Sequence, residues 1–276
     1  MPKIPSLTFK DGKTIPQLGL GVWQIPESDL PDIVSKAVEL GYRLIDGAFI
    51  YGNEAAMGDG IRQSGIARQE LFVTSKVWNS EQGYDKARKA IDGSLKRIGL
   101  EYLDLALIHW PCPQQDNYVE TWKALVAAKA DGQLASIGVS NFNANHLDRI
   151  MNETGETPFL NQIEVNPRLQ QADMRAQNEK RSILTQAWTP LGQGVSFNAP
   201  EIAAICKRTG KSPIQVILRW HLKLGVSVIP RSTSTKHLVS NIDIFDFELT
   251  SDDMAAISKL EAGVRCGPDP EDFEAM

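Results

Sequence analysis

The chain has 276 residues, 42% hydrophobic and 23% charged, enough to bury a full core in one domain or two. Its formal net charge of −5 argues against nucleic acid as the main partner, and no apolar run approaches the roughly 20 residues needed to span a bilayer. Cys112, Cys206 and Cys266 are scattered and odd in number, which excludes a CxxC zinc or redox spacing and fits free thiols in a reducing compartment.

The N-terminal stretch MPKIPSLTFKDGKTIP has neither the apolar core nor the small-residue cleavage site of a signal peptide, so a cytoplasmic protein is expected. Within it, SLTFKDGKTIPQLG reads as a hairpin turning at Asp11-Gly12, suited to plugging one end of a barrel. Eight strand candidates follow: Leu18–Val22, Arg43–Asp46, Leu71–Val77, Leu103–Trp110, Ala135–Ser140, Leu160–Val165, Ser182–Trp188 and Val226–Pro230. Helical patterns alternate with them. Ala87, Ile91, Leu95 and Ile98 recur at helical spacing, as do Val119, Trp122, Val126 and Ala130. No Pro-, Gly- or Ser-rich linker and no fixed-period repeat interrupts this rhythm. The pattern predicts an α/β fold, a single (β/α)8 TIM barrel over residues 1–276, of the usual size for that architecture. A doubly wound open sheet is the competing arrangement, but GVWQIPESD after the first strand contains no GxGxxG fingerprint.

Chemistry in a parallel barrel sits at the carboxyl ends of the strands. Here those ends carry Asp46, Lys76, His109, Ser140-Asn141, Gln162 and Trp188. Strand alternation places His109 on the face of Leu103, Leu105 and Leu107, and Lys76 on the face of Thr74 and Trp78. Singly, each has a bland reading: a helix cap, a solvated edge lysine, a hydrogen-bonded core histidine. Gathered at one pole, they would cost several kcal/mol per unpaired charge, roughly, so their convergence implies pairing or purpose.

The blocks GYRLIDGAFIYGNEAAMG, LDLALIHWP, IGVSNF, NQIEVNP and IPRSTS resemble, in order, the signature blocks of the aldo-keto reductase family along essentially the whole chain. QLGLGVWQ, HWPCPQQDNYVETW, WTPLGQG and VIPRSTS bring it nearest to the bacterial 2,5-diketo-D-gluconate reductase group. The resemblance implies a barrel that binds an extended nicotinamide cofactor and reduces aldehydes, ketones or keto sugar acids. It also implies a catalytic set of Asp46, Tyr51, Lys76 and His109. Hydride arriving at a carbonyl carbon leaves negative charge on oxygen, and Tyr51 is the natural proton donor there. Free tyrosine titrates near about 10, and an ammonium beside it, Lys76, is expected to lower that value while Asp46 neutralises the lysine. His109 would orient the carbonyl oxygen.

By the same resemblance Ser140, Asn141 and Gln162 would hold the nicotinamide carboxamide and Trp188 would lie beneath the ring. Leu191, Gly192, Gln193 and Gly194 would fold over the pyrophosphate, with the glycines permitting close approach. The adenosine 2'-phosphate would meet Arg231, Ser232, Thr233, His237 and Asn241. The chain departs from the family here: His237 stands where an arginine is common, which leaves NADPH as the expected cofactor and opens room for NADH. Gly47 (for Thr or Ser) and Asn166 (for His) are further departures. Trp23, Phe49, Trp78 and Trp110 would line the substrate pocket, Trp122 and Trp220 would be core, and GVRCGPDPEDFEAM would close over the site. Arg265 in that segment suits either an acidic substrate or a solvated surface. A monomer acting on a small-molecule carbonyl is expected, with no membrane or metal involved. The alternative is a cofactor-binding sensor or regulatory subunit on the same barrel.

Overall fold

The computed structural model describes residues 4–274. An antiparallel hairpin, β1 (Ser6–Thr8) and β2 (Thr14–Pro16), opens the chain, with Gly12 at φ +84° in its turn. Phe9 and Ile15 of this hairpin are buried in an inner cluster with Leu44, Leu105, Leu107 and Leu160, so it plugs the barrel end as its sequence predicts.

The alternation then runs β3 (Leu20–Gly21), α1 (Leu30–Glu39), β4 (Leu44–Asp46), α2 (Glu54–Gln63), β5 (Phe72–Val77), α3 (Tyr84–Ile98), β6 (Leu103–Ile108) and α4 (Tyr118–Ala130). It continues with β7 (Leu134–Ser140), α5 (Ala144–Thr154), β8 (Leu160–Glu164), α6 (Ala172–Lys180), β9 (Leu184–Trp188), α7 (Pro200–Thr209) and α8 (Pro213–Lys223). β10 (Ser227–Val228), α9 (Thr235–Ile242) and α10 (Ser251–Ser258) complete it. β3 to β10 form one parallel sheet of eight in sequence order, and the bridges Leu18–Val228 and Gly21–Arg231 close it on itself. This is the (β/α)8 barrel rather than the open doubly wound sheet.

All eight strand candidates are present; β7 begins one residue earlier than expected, at Leu134, and the other seven are shortened at their ends for local reasons. β3 and β10 shrink because they meet at the closing seam, where pairing is by single bridges and Pro230 has no N–H to donate. The β6 ladder stops before Trp110, which precedes Pro111, although His109 N–H still bonds to the Val77 carbonyl at 3.0 Å. Ser182 is not strand: its φ of +58° belongs to the turn that ends α6.

Two apolar layers hold the barrel. The inner cluster fills its lower bore, and a much larger one packs helices against the outside of the strands. Leu105 and Leu107 lie in the inner cluster, as alternation predicts, but Leu103 joins the outer one. The predicted α3 stripe is buried throughout. The α4 stripe is not: Val126 is half-buried and Ala130 exposed, while Leu125 and Ala128 are buried because α3, α5, β6 and β7 cover two sides of that helix. Trp122 and Trp220 are fully buried core. Among the described residues no helix is long and apolar enough to cross a membrane.

Candidate active site

Asp46 and Lys76 meet on the inside of neighbouring strands β4 and β5 at the mouth of the bore. Lys76 Nζ is 2.6 Å from Asp46 Oδ2, and the two side chains are 2% exposed or less. The ammonium has three protons and three acceptors: Asp46, the Gly47 carbonyl at 2.8 Å and Tyr51 Oη at 3.4 Å. Tyr51 reaches it from the short 3-10 turn that follows β4. The backbone that delivers Asp46 thus also delivers the tyrosine. His109, just past β6, completes the group, its ring edge-on to Tyr51 at 5.9 Å and to Trp78 at 5.0 Å. The structure therefore brings together all four side chains expected of the catalytic set.

Electrostatics correct one expectation. Burial pushes the Tyr51 hydroxyl above its usual value of 10, Lys76 pulls it down, and Asp46 pushes it up again, so the net shift is upward, not downward. Asp46 thus opposes what the lysine supplies. For Lys76, burial disfavours the ammonium, but Asp46 and then Tyr51 more than offset this and hold it above its usual range. Burial, followed by repulsion from Lys76, holds His109 well below the usual histidine range, so the imidazole is neutral at pH 7.

Above this group lies a cavity of about 620 Å³, lined among others by Trp23, Trp78, Trp110 and Trp188 and floored by Asp46, Tyr51 and His109. Phe49 does not line it. In the 3-10 turn its ring is turned against the Trp78, Trp110 and Cys112 cluster with Arg97 over its face at 4.7 Å, and the next residue, Ile50, supplies the wall. The C-terminal segment closes one side, as expected: Cys266, Gly267 and Pro268 line the cavity, and Phe273 lies 4.4 Å from the Trp110 ring. Ala275 and Met276 at its end lie outside the described residues. Buried Glu164 holds the segment by accepting the N–H groups of Cys266 at 2.7 Å and Gly267 at 3.0 Å. Arg265 is half-buried with Asp269 at 3.8 Å and does not line the cavity.

Trp188 is half-buried, its indole N–H donating to Asn141 Oδ1 at 2.8 Å. Asn141, left-handed at φ +64°, donates in turn to Ser140 Oγ and the His109 carbonyl. Ser140 Oγ donates to the Gln162 carbonyl at 2.8 Å. An indole face bordered by Ser140, Asn141 and Gln162 offers a flat apolar shelf with amides at its edge, which fits a planar heteroaromatic carboxamide. Leu191 and Gln193 line the cavity, but Gly192 does not. A Cβ on Gly192 would stand 3.1 Å from the Asn166 side chain, and one on Gly194 3.2 Å from the Phe197 ring. Both glycines have positive φ, a backbone conformation that favours glycine at these positions whatever else approaches them.

Arg231 lines the far end of the cavity and donates to Gln24 Oε1 at 3.0 Å. Ser232 is buried with its hydroxyl on the Ser234 carbonyl, Thr233 and His237 are exposed, and Asn241 is buried in α9. None of these four lines the cavity; Ser232, Thr233 and His237 lie at the N-terminal end of α9 and Asn241 in its last turn. Gln24, Ile50 and Glu164 are the contributors that sequence reasoning missed. Each had a positional hint: Gln24 follows Trp23, Ile50 lies between Phe49 and Tyr51, and Glu164 is two residues along β8 from Gln162.

The model of the aldo/keto reductase family matches residues 16–262. The chain belongs to that family. An aldo-keto reductase of Mycolicibacterium smegmatis is 47% identical over 269 residues, which are 98% of each chain. Methylglyoxal reductase DkgA of Salmonella typhimurium is 43% identical over 97% of each. The crystal structure of a Gox0644 mutant in complex with NADPH superposes with a TM-score of 0.95 at 44% identity, covering 99% of each chain. Two departures from the aldo-keto reductase blocks have local explanations. At Gly47 a Cβ would meet Met57 Sδ at 2.9 Å, so methionine fills the volume that a larger residue would take. Asn166 accepts the N–H groups of Arg168 and Leu169 and donates to Glu164, building a side-chain turn in place of His.

Proposed function

We propose that the chain is an NADPH-dependent carbonyl reductase in which Tyr51 donates the proton. One observation carries the reading: Tyr51 Oη, at the floor of an aromatic cavity, accepts a hydrogen bond from an ammonium that is itself paired with a buried carboxylate. With one lone pair of Oη engaged by Lys76, the tyrosine proton is left to point elsewhere, and the cavity is where a substrate would receive it. Bound reduced nicotinamide supplies the hydride that goes to the carbonyl carbon.

The chain's residues account for the rest. The raised value of Tyr51 keeps its proton in place across the neutral range, so it serves as a held donor to an alkoxide, a far stronger base than phenolate. Lys76 offsets the build-up of negative charge on Tyr51 as the proton leaves, and Asp46 keeps the lysine charged. Neutral His109 donates one hydrogen bond toward the carbonyl oxygen without contributing a second charge. Ser140, Asn141, Gln162 and Trp188 would hold the nicotinamide, Leu191, Gly192 and Gln193 the pyrophosphate, and Arg231, Ser232, Thr233, His237 and Asn241 the 2'-phosphate.

Trp23, Ile50, Trp78 and Trp110 give a wall suited to small carbonyl compounds. Methylglyoxal reductases among the relatives support dicarbonyls as the substrate class, and the resemblance to 2,5-diketo-D-gluconate reductases supports keto sugar acids. The test is oxidation of NADPH and of NADH, followed by absorbance, against methylglyoxal, 2,5-diketo-D-gluconate, a simple diketone and an aromatic aldehyde. Turnover with at least one, preferring NADPH, is expected. Tight NADPH binding with no turnover on any of them would favour the sensor reading instead.

A further inference from the structure

Strand register places Ser140, Gln162, Gln186 and Ser227 side by side on β7, β8, β9 and β10. All are buried, and the last three side chains are linked. Gln162 Nε2 donates to Asp46 Oδ1 at 2.8 Å and to Gln186 Oε1 at 2.7 Å. Gln186 Nε2 donates to Ser227 Oγ at 3.1 Å, and Ser227 Oγ to the Pro16 carbonyl at 3.1 Å. Each end of this chain is an acceptor with no proton to give: an ion-paired carboxylate at one end, a backbone carbonyl in the hairpin plug at the other.

That arrangement admits one polarity. The Pro16 carbonyl takes the Ser227 proton, so Ser227 Oγ accepts from Gln186, so Gln186 turns its oxygen to Gln162. Both N–H bonds of Gln162 are then committed, to Gln186 and to Asp46. What remains for the cavity, which Gln162 lines, is its carbonyl oxygen.

We infer that Gln186 and Ser227 are positioning residues that fix the Gln162 amide with its oxygen toward the cavity, so that the site reads the N–H of the nicotinamide carboxamide. This rests on the reductase reading above. Neither residue touches the cavity, and each acts only through Gln162. Without them a single contact to Asp46 holds the amide, and rotation about that contact lets it turn away from the cofactor.

The test pairs variants with a cofactor analogue. The reduced 3-acetylpyridine analogue of NADPH keeps the ring carbonyl and replaces the amide nitrogen by a methyl group. Dissociation constants for both cofactors are read by quenching of tryptophan fluorescence. Wild type should bind NADPH about ten-fold more tightly than the analogue, the value of one buried hydrogen bond whose acceptor is otherwise left unpaired. In Gln186→Leu the ratio should fall to about two-fold. In Ser227→Ala, a smaller change that decides the matter if the first variant does not fold, it should fall to an intermediate value. A merely structural role would weaken both cofactors alike and leave the ratio unchanged, which would overturn the inference, as would equal binding of the two by wild type. Failure of wild type to bind either one would instead strike at the reductase reading itself.

Discussion

Removing Asp46 while keeping Lys76 isolates what the buried pair does. In Asp46→Asn the amide can offer its oxygen to Lys76 or to Gln162 Nε2, but not to both, because donors now approach from two sides where the carboxylate had two acceptors. Breaking a buried pair by deleting one partner costs about 3–5 kcal/mol. Lys76 keeps the Gly47 carbonyl and Tyr51 Oη, which argues for the lower end, about 3 kcal/mol. The pH dependence is more diagnostic. In wild type the folded value of Lys76 lies above its unfolded 10.5, so the stability it contributes is complete below pH 10.5 and is lost above it. In the variant the Asp46 contribution is gone and burial pulls the folded value below 10.5, so the unfolded chain binds more protons and stability rises as pH climbs toward 10.5. Urea unfolding midpoints at pH 7 to 10 for wild type, Asp46→Asn, Lys76→Met and the double variant measure both effects. The double variant should be more stable than the sum of the single losses by about 1–3 kcal/mol. Strict additivity, or a variant stability that does not climb between pH 8 and 10, would refute the pairing argument.

Tyr51→Phe should leave fold and NADPH affinity intact, since one hydroxyl is lost, but cut kcat by about 100-fold or more; single-turnover kinetics beside a cofactor titration would show it. Gly267→Ala would place a Cβ 2.4 Å from Trp188 Cη2, so the C-terminal segment or the indole must shift. KM for bulky carbonyls should change several-fold while the unfolding midpoint moves little, a comparison made from steady-state kinetics and urea titration. His237→Arg adds a forked, permanently charged donor in the first turn of α9, and NADPH should bind roughly 10-fold tighter with NADH nearly unchanged, read by fluorescence quenching. Equal tightening for both cofactors would place that side chain away from the 2'-phosphate.

The barrel was legible because buried parallel strands are short continuous runs of Val, Ile and Leu, and their polar end residues stand out against that background. Asp46, Lys76 and His109 stand out in this way, and strand parity points Leu103, Leu105, Leu107 and His109 the same way, although Leu103 at the start of β6 packs in the outer cluster. The loop after Asp46 was harder to read: Phe49, expected at the pocket from its place beside the rim, packs in the 3-10 turn against the Trp78, Trp110 and Cys112 cluster, and Ile50 faces the cavity. The sign of the Tyr51 shift was also illegible, because a sequence shows that Lys76 and Asp46 are present but not how far burial and the carboxylate outweigh the ammonium. Gln186 in LTQAW reads only as a defect in an apolar run. Its meaning lies in register with Gln162 and Ser227, residues brought together by the closing of the sheet.

Collecting Asp46, Lys76, Gln162, Gln186 and Ser227 in one buried layer would destabilise the barrel if any of them lacked a partner. Their hydrogen bonds instead form a closed account from Tyr51 Oη through Lys76, Asp46 and the two amides to the Pro16 carbonyl. What that account leaves uncommitted defines what the site can do. The Tyr51 proton and the Gln162 carbonyl remain, and both residues line the cavity above the layer. The hairpin plug thus does more than cap the bore: by offering the Pro16 carbonyl it supplies the last acceptor, and the polarity it imposes reaches the mouth of the barrel, where the substrate would be reduced.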